Sequence, residues 1–383
     1  MTKLACHHYA AHRCMSCSLL ELSSQAARER QQLLLEQTLG SLAPIRHPVW
    51  CRNPAGSRIR ARLATAGTAQ QPIFGFFNDR RQLVAADDCP LHHPQLTHSI
   101  GWLSDFVAAA RLEPYSPETD RGEVKFVVLT FSPSAGQLMV QWVLRSREAI
   151  DRIRSVWRKL AIEQRGNVSV MSAGIQPKRS TQTVCEIDLP VSDEQMLRVT
   201  YQQPRLSLMV SPGGFVQTNY EIAGELYAAA DRTLQDLHPR HVLDLYCGSG
   251  AFALLAARCG AKTLGVDVTA SSIACANAAA TEQHLPARFC QSPAAALQFD
   301  DLNEAFDVVI CNPPRAGLDD ATVELLRRLA PSSILYSSCN PATLARDLQR
   351  LSDQYQAEDF QPFEMFPGTE HWEVLCQARL RST

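Results

Sequence analysis

VLDLYCGSGAFAL, Val242–Leu254, is the stretch that decides the fold. A short apolar run passes through Asp244, two glycines follow at 248 and 250, and an alanine- and leucine-rich segment begins at once. That order reads as a strand, a sharp turn and a helix. Glycine suits such a turn because the chain bends hard and its backbone approaches a ligand with no Cβ in the way. Dinucleotide-binding loops carry a third glycine, as G-x-G-x-x-G. Here that slot falls on Phe252 or Ala253.

Outward from this loop the chain alternates between helices and strands. A helix is expected over Tyr220–Leu234, a strand over His241–Tyr246, a helix over Ala251–Cys259, a strand over Thr263–Asp267 and a helix over Ser271–Glu282. Further strands are expected at Phe306–Cys311 and Ser333–Ser337. The grammar is that of an α/β, Rossmann-like domain with a parallel sheet, whose ligands bind beyond the carboxyl ends of the strands. Asp267 ends the second strand 17 residues past Gly250, where an acid can accept hydrogen bonds from ribose hydroxyls. Asp244, ahead of the glycines, repels a pyrophosphate and suits a cofactor with ammonium and sulfonium charges. A lone G-x-G is equally an ordinary turn. Joined to Asp244, Asp267 and the strand-end motif at Asn312, the loop with Gly248 and Gly250 points to S-adenosylmethionine.

Two later strand ends carry the chemistry. DVVICNPPRAGL (Asp307–Leu318) is close to the N-P-P-Y pattern that holds exocyclic amines, but Arg315 stands in the aromatic position, which argues against amine methylation. ILYSSCNPATLARDL (Ile334–Leu348) places Cys339 at a strand end among Ser337, Ser338 and Asn340. Carbon-5 of uracil is too weak a nucleophile to attack a sulfonium unaided. A thiolate that adds to carbon-6 makes the ring an enolate, and carbon-5 then accepts a methyl group. The carbon-5 proton must leave afterwards. MFPGTEHWEVL (Met365–Leu375) offers Glu370, His371 and Glu373 for that step. Strand alternation would put His371 and Glu373 on one side, with Trp372 and Val374 opposite. Glu373 is the expected base, provided that burial raises its pKa; from the residues alone Glu370 is a close rival.

The rest of the chain differs in character. Residues 1–200 hold 24 Lys and Arg against 18 Asp and Glu, whereas residues 201–383 hold 13 against 21. A basic half suits phosphate, although ordinary variation between domains gives the same numbers. With 383 residues two domains are expected: 1–195 as a metal-bearing and RNA-binding α+β region, about 50–80 packing on its neighbour, and 196–383 as the catalytic domain. A helix is expected over Ser24–Leu39, strands at Glu123–Phe131 and Leu138–Leu144, and an amphipathic helix over Glu148–Leu160. Arg58, Arg60 and Arg62 alternate along a strand-like segment and, with Arg145, Arg147, Arg152 and Arg154, are candidates for phosphate contact. No apolar run reaches membrane-span length and no signal-peptide core is visible, so a cytoplasmic protein without a membrane partner is expected. Nothing implies an oligomer. Of the 13 cysteines, Cys185, Cys259, Cys275, Cys290 and Cys376 read as small core residues. Cys6, Cys14, Cys17 and Cys89 draw notice, since a C-x2-C with two distant thiols could hold zinc as well as an iron–sulfur cluster. Cys51 is the rival fourth thiol, and His7, His8 and His12 are alternative zinc ligands.

The motifs C-x7-C-x2-C, EPYSPETDRGEVKFVVLT (Glu113–Thr130), GGFVQTN, NPPRAG, YSSCN and MFPGTEHWEV together make the chain similar, over nearly its full length, to the bacterial RNA uracil-5-methyltransferases. The resemblance implies Cys339 as nucleophile and Glu373 as proton acceptor. It implies Gln217, Tyr246, Asp267 and Asn312 as contacts to S-adenosylmethionine and uracil, and Cys6, Cys14, Cys17 and Cys89 as ligands of a [4Fe-4S] cluster. Tyr246 stands where Phe is usual, Asp267 where Glu is common, and Gly368 where the family has His. The transfer RNA enzymes of the family lack the cluster, and a second ribosomal type has a barrel ahead of its cysteines that the five residues before Cys6 leave no room for. The resemblance therefore implies 23S ribosomal RNA as partner, at the uracil numbered about 747, a base that must be unstacked to be reached. Three other readings stand beside it: a uracil-5-methyltransferase acting on tRNA or at another RNA site, an amine or cytosine methyltransferase, and a cluster-bearing RNA-binding protein with an inactive methyltransferase fold.

Overall fold

A computed structural model describes residues 4–176, 185–297 and 305–382. Ahead of the sheets lie α1 (His7–Ala10) and α2 (Ser24–Leu39), the latter capped by Ser23, whose Oγ accepts the Ala26 N–H. The first sheet comprises β1 (Arg60–Gly67), β2 (Pro72–Phe77), β3 (Leu83–Ala85), β4 (Val124–Ser132), β5 (Gln137–Leu144), β6 (Val168–Ile175) and β7 (Ile187–Pro190), in the order β3-β2-β1-β4-β5-β6-β7. Its pairs are antiparallel except β5 with β6. A parallel pair needs a crossover, and this one runs through α4 (Ile150–Lys159), which buries Ile150, Ile153 and Trp157. Beside it α3 (Pro94–Ala110) places Leu96, Leu103 and Phe106 against the same core, with the fully buried Trp142 at its centre. Burying side chains of this size stabilises by about 2–3 kcal/mol each.

A ribbon of β8 (Leu197–Tyr201) and β9 (Leu206–Val210) leads to α5 (Tyr220–Leu237) and the second sheet. That sheet comprises β10 (His241–Leu245), β11 (Lys262–Asp267), β12 (Ala287–Gln291), β13 (Val308–Cys311), β14 (Ser333–Ser338), β15 (Tyr355–Phe363) and β16 (Glu373–Leu380), in the order β12-β11-β10-β13-β14-β16-β15. The first five are parallel, and β16 runs against β14 and β15. Helices α6 (Ala251–Arg258), α7 (Ala270–Glu282), α8 (Asp320–Leu329) and α9 (Pro341–Arg350) connect the strands. The expected Rossmann-like alternation is therefore present. The chain leaves β10 toward β11 on one side and returns at β13 on the other, which opens a crevice at their carboxyl ends. Because β16 is antiparallel, its first residue, Glu373, lies at that same edge.

Helix α2 and the segment that follows it do not stay with the first sheet. Leu35 and Leu39 of α2 share a core with Leu344 of α9 and Phe360 of β15, and Val49 bridges to Phe363. This segment packs on the catalytic sheet together with the start of the expected 50–80 stretch: Cys51 joins its core and donates its N–H to Glu364, and the Ile59 N–H donates to the Thr218 carbonyl, whereas β1 and β2 pair within the first sheet. No helix among the described residues is long and apolar enough to cross a membrane.

Candidate active site and cysteine cavity

The crevice is lined by Gln217, Tyr246, Gly248, Asp267, Asn312, Cys339 and Glu373, so seven residues singled out from widely separated motifs share one cleft. Gln217 and Glu373 are almost fully buried. Tyr246 takes a left-handed φ of 60°, and its hydroxyl reaches Thr322 Oγ1 at 3.0 Å. Asp267 accepts the N–H of Gly248 at 3.1 Å through Oδ2 and that of Thr269 at 2.8 Å through Oδ1, which ties the tip of β11 to the glycine loop.

The two glycines have different reasons. Gly248 has φ 54° and nothing within 4 Å of where a Cβ would stand, and it faces the cleft. Gly250 has φ 84°, and a Cβ there would sit 2.8 Å from Phe289 Cζ; it does not line the cleft. Gly250 is required by core packing. Asp244 also differs from expectation. It is fully buried below the cleft, Oδ2 accepts the Ala253 N–H at 3.0 Å, and Oδ1 has no partner among the described residues. Burial pushes its carboxyl up to about 8, against the pull of the Ala253 N–H, so near neutral pH it supplies little negative charge. Its place is to hold the start of α6, not to face a cationic cofactor.

Register explains the chemistry at the cleft wall. Ser337 pairs with Leu375, which puts Glu373, two residues earlier, on the same face of the sheet. Ser337 Oγ donates to Glu373 Oε1 at 2.5 Å, with both groups buried. Burial pushes the Glu373 carboxyl up to about 7, and the Ser337 hydrogen bond opposes the rise. The Cys339 thiol is raised by burial and by Glu373, whereas the Arg315 guanidinium favours its thiolate. Arg315 is held in turn: its carbonyl accepts from Asn340 Nδ2 at 3.1 Å, and Nη2 lies 3.3 Å from His371 Nδ1. A half-buried thiol with a guanidinium near it and a buried carboxyl poised near neutrality can add to, and deprotonate, a planar ring.

Glu370 is exposed and paired with Arg30 at 3.2 Å, away from the cleft lining. β16 begins only at Glu373, so the expected alternation does not reach back to His371, which is exposed, and Trp372 is buried beside Trp50. Several cleft residues gave no signal in the sequence. Phe215 and Val268 are large apolar side chains left exposed at its wall, and Tyr227 reaches it from α5.

Cys6, Cys14, Cys17 and Cys89 line a second cavity between the N-terminal segment and the first sheet. Cys17 is pushed up to about 12 by burial and by the other three thiols. Among the described residues, the one His, Cys or acid trio whose ligand atoms all lie within 4.8 Å is His7, His8 and Asp88. Four half-buried thiols lining one cavity are a donor set that fits a thiolate-bound metal or cluster. The backbone N–H groups of Leu91 and His92 favour the Cys89 thiolate, the hydrogen bonding to sulfur that such clusters use. Cys51 is elsewhere, buried, with its N–H donated to Glu364 Oε2 at 3.0 Å and its sulfur 3.4 Å from Asn219 Nδ2. His7 and His8 both bond to Asp88, at 3.1 and 2.6 Å. His12 is exposed and outside that trio. Of the supposed core cysteines, Cys275 and Cys376 are buried, Cys185 and Cys259 are half-buried, and Cys290 is exposed.

The basic residues separate. Arg60 donates to Thr130 Oγ1 at 3.1 Å, and burial lowers its pKa to about 10. Arg62 lies over Phe126 at 4.2 Å, and Arg58 turns into the cysteine cavity. Arg152 pairs with Glu123 and caps the carbonyl of Ala110, and Arg154 donates to the Pro190 carbonyl at 3.0 Å. Arg145 donates to the Asp120 carbonyl at 3.0 Å, whereas Arg147 is exposed. The alternation expected of Arg58, Arg60 and Arg62 does not give a phosphate-binding row, because β1 starts only at Arg60.

A family model described as tRNA (Uracil-5-)-methyltransferase matches residues 294–378, and one described as a methyltransferase domain matches residues 242–332. The 23S rRNA (uracil(747)-C(5))-methyltransferase RlmC of Xenorhabdus bovienii (strain SS-2004) is 34% identical over 97% of this chain and 98% of its own length. That of Haemophilus influenzae (strain PittEE) is 33% identical over 97% of each. Among solved structures, the Pyrococcus abyssi tRNA (uracil-54, C5)-methyltransferase in complex with S-adenosyl-L-homocysteine superposes with a TM-score of 0.74, at 24% identity, over 94% of this chain and 85% of that one.

Proposed function

The chain belongs to the family of the 23S rRNA (uracil-C5)-methyltransferases, and we propose that it methylates carbon-5 of a uracil in 23S rRNA, the base at about position 747, by covalent catalysis through Cys339. The observation that carries the mechanism is the meeting of Cys339 and Glu373, 34 residues apart, in one cleft with the glycine loop. Gln217, Tyr246, Gly248, Asp267 and Asn312 would hold S-adenosylmethionine and the uracil, and the bound cosubstrate would supply the methyl group to carbon-5 and leave as S-adenosylhomocysteine.

The half-buried Cys339 thiol must first lose its proton to solvent, and the Arg315 guanidinium favours the anion. The thiolate adds to carbon-6, and the electrons of the carbon-5–carbon-6 bond move onto the ring as an enolate. Once carbon-5 bears both hydrogen and methyl, Glu373 takes the hydrogen as a proton. The released electron pair reforms the double bond and expels the Cys339 thiolate. A carboxyl whose pKa lies near 7 suits a base that works at neutral pH.

In this reading residues 196–383 carry the chemistry. Residues 1–195 carry the cluster and an RNA-facing surface, with α2 crossing to the catalytic sheet. Cys6, Cys14, Cys17 and Cys89 hold a [4Fe-4S] cluster, a reading supported by their meeting in one cavity. The test is to incubate the protein with labelled S-adenosylmethionine and unmodified 23S rRNA and to map the labelled nucleoside. 5-Methyluridine at one site is expected; label in an amine or a cytosine, or none at all, refutes the reading.

A further inference from the structure

Arg58 is bound by its backbone to the loop that carries Cys89. Its N–H donates to the Leu91 carbonyl at 2.8 Å, and its own carbonyl accepts the His93 N–H at 2.8 Å. The side chain enters the cavity of the four cysteines and is the one Lys or Arg among the described residues that line it. Much of the wall is apolar, with Leu4, Leu20, Phe76, Val84 and Leu91. Arg58 is half-buried, and no carboxylate pairs with it among the described residues. A guanidinium withdrawn from water without an anion is costly.

The two histidines nearest the cysteines, His7 and His8, bond to Asp88. Arg58 thus lines one cavity with all four cysteines. Four thiolates around an iron–sulfur core make a net anion, which gains one more negative charge on reduction.

We infer that Arg58 is the counter-ion of the cysteine cavity: its guanidinium balances the ligated cluster and sets its reduction potential, and it does not grip RNA phosphate. This rests on the cluster reading above. Removing the charge makes the added electron harder to accept and the ligated anion less stable.

The test uses anaerobically purified holoprotein as wild type, Arg58→Gln and Arg58→Lys. Each is titrated with dithionite under spectroscopic monitoring, bleached in air, and bound to a 23S rRNA fragment over a range of salt. Arg58→Gln should show a more negative midpoint potential and bleach several-fold faster, with RNA affinity within about twofold of wild type and an unchanged salt slope. Arg58→Lys keeps the charge and should retain the cluster with a potential close to wild type. A Gln variant with wild-type potential and bleaching overturns the inference. So does a loss of RNA affinity with the salt slope reduced by about one, which marks a phosphate contact. If the Gln variant does not accumulate, the Lys variant decides, and one that loses its cluster overturns the inference. Colourless, iron-free wild-type protein instead refutes the cluster reading itself.

Discussion

Ser337 and Glu373, on neighbouring antiparallel strands, are joined by a 2.5 Å hydrogen bond inside the wall of the catalytic cleft. The serine hydroxyl donates, so it favours the charged carboxylate that must accept a proton. It also fixes one oxygen of Glu373 and leaves the other for the substrate. Ser337 is thus a positioning residue for the base.

Removing that hydroxyl has a definite sign. Glu373 works when deprotonated, so turnover should rise with pH through its pKa of about 7. Ser337→Ala takes away a contact that lowers this pKa, so the rising limb of the kcat profile should move to higher pH. kcat at pH 7 should fall by on the order of tenfold, with KM for RNA little changed. A lower kcat with the limb in its original place contradicts this role.

Glu373→Gln separates the two halves of the reaction. Addition and methylation do not need the carboxylate, but release does. Steady turnover should fall by about 10²–10⁴-fold, and a protein–RNA adduct carrying the new methyl group should accumulate with ordinary substrate. Gel shift and mass spectrometry read this directly. Slow turnover without any adduct assigns the base elsewhere.

The two loop glycines should fail differently. Gly250→Ala forces a Cβ toward Phe289 at φ 84°, and should destabilise the fold by about 2–3 kcal/mol. Gly248→Ala meets no neighbour, so it should cost about 1 kcal/mol of backbone strain and show mainly as weaker S-adenosylmethionine binding. Thermal melts and calorimetry distinguish them; equal melting temperatures contradict the packing role of Gly250.

Much of this was legible in the sequence and some was not, for physical reasons. The alternation from Tyr220 onward identified the parallel sheet, because short apolar strands and amphipathic helices differ in period. Cys339, Asn312 and Asp267 converge because strand ends in such a sheet face one crevice. Asp244 and Gly250 sit in the same motif, yet one is buried beneath the loop and the other packs on Phe289. Local spacing does not tell ligand contact from support. Ser337 drew notice as a polar neighbour of Cys339, but its bond to Glu373 depends on strand register across 36 residues. The arginine row failed because alternation is meaningful only within one strand, and Arg58 lies outside it. Helix α3 was passed over, although Pro94 at its first turn and Leu96, Leu103 and Phe106 give the pattern.

Glu364, outside the cleft, gives a stability test. It is buried, accepts the Cys51 N–H, and is pushed up to about 7 by burial. The folded protein therefore keeps this proton where the unfolded chain, at about 4.5, has released it, so stability falls as pH rises from about 4.5 to about 7. Glu364→Gln should be more stable than wild type at pH 8 by on the order of 1 kcal/mol, and no more stable at pH 5. A gain of equal size at both pH values contradicts the titration.

The most direct test of the account is to offer the protein an rRNA fragment with 5-fluorouracil at the target, together with S-adenosylmethionine. Fluorine cannot leave as a proton, so release is blocked after addition. Wild-type protein should form a denaturation-resistant complex whose peptide mass places the base on Cys339, and Cys339→Ala should form none. Active wild-type protein that leaves no bond to the fluorinated RNA, or Cys339→Ala protein that still methylates uracil, would contradict the account.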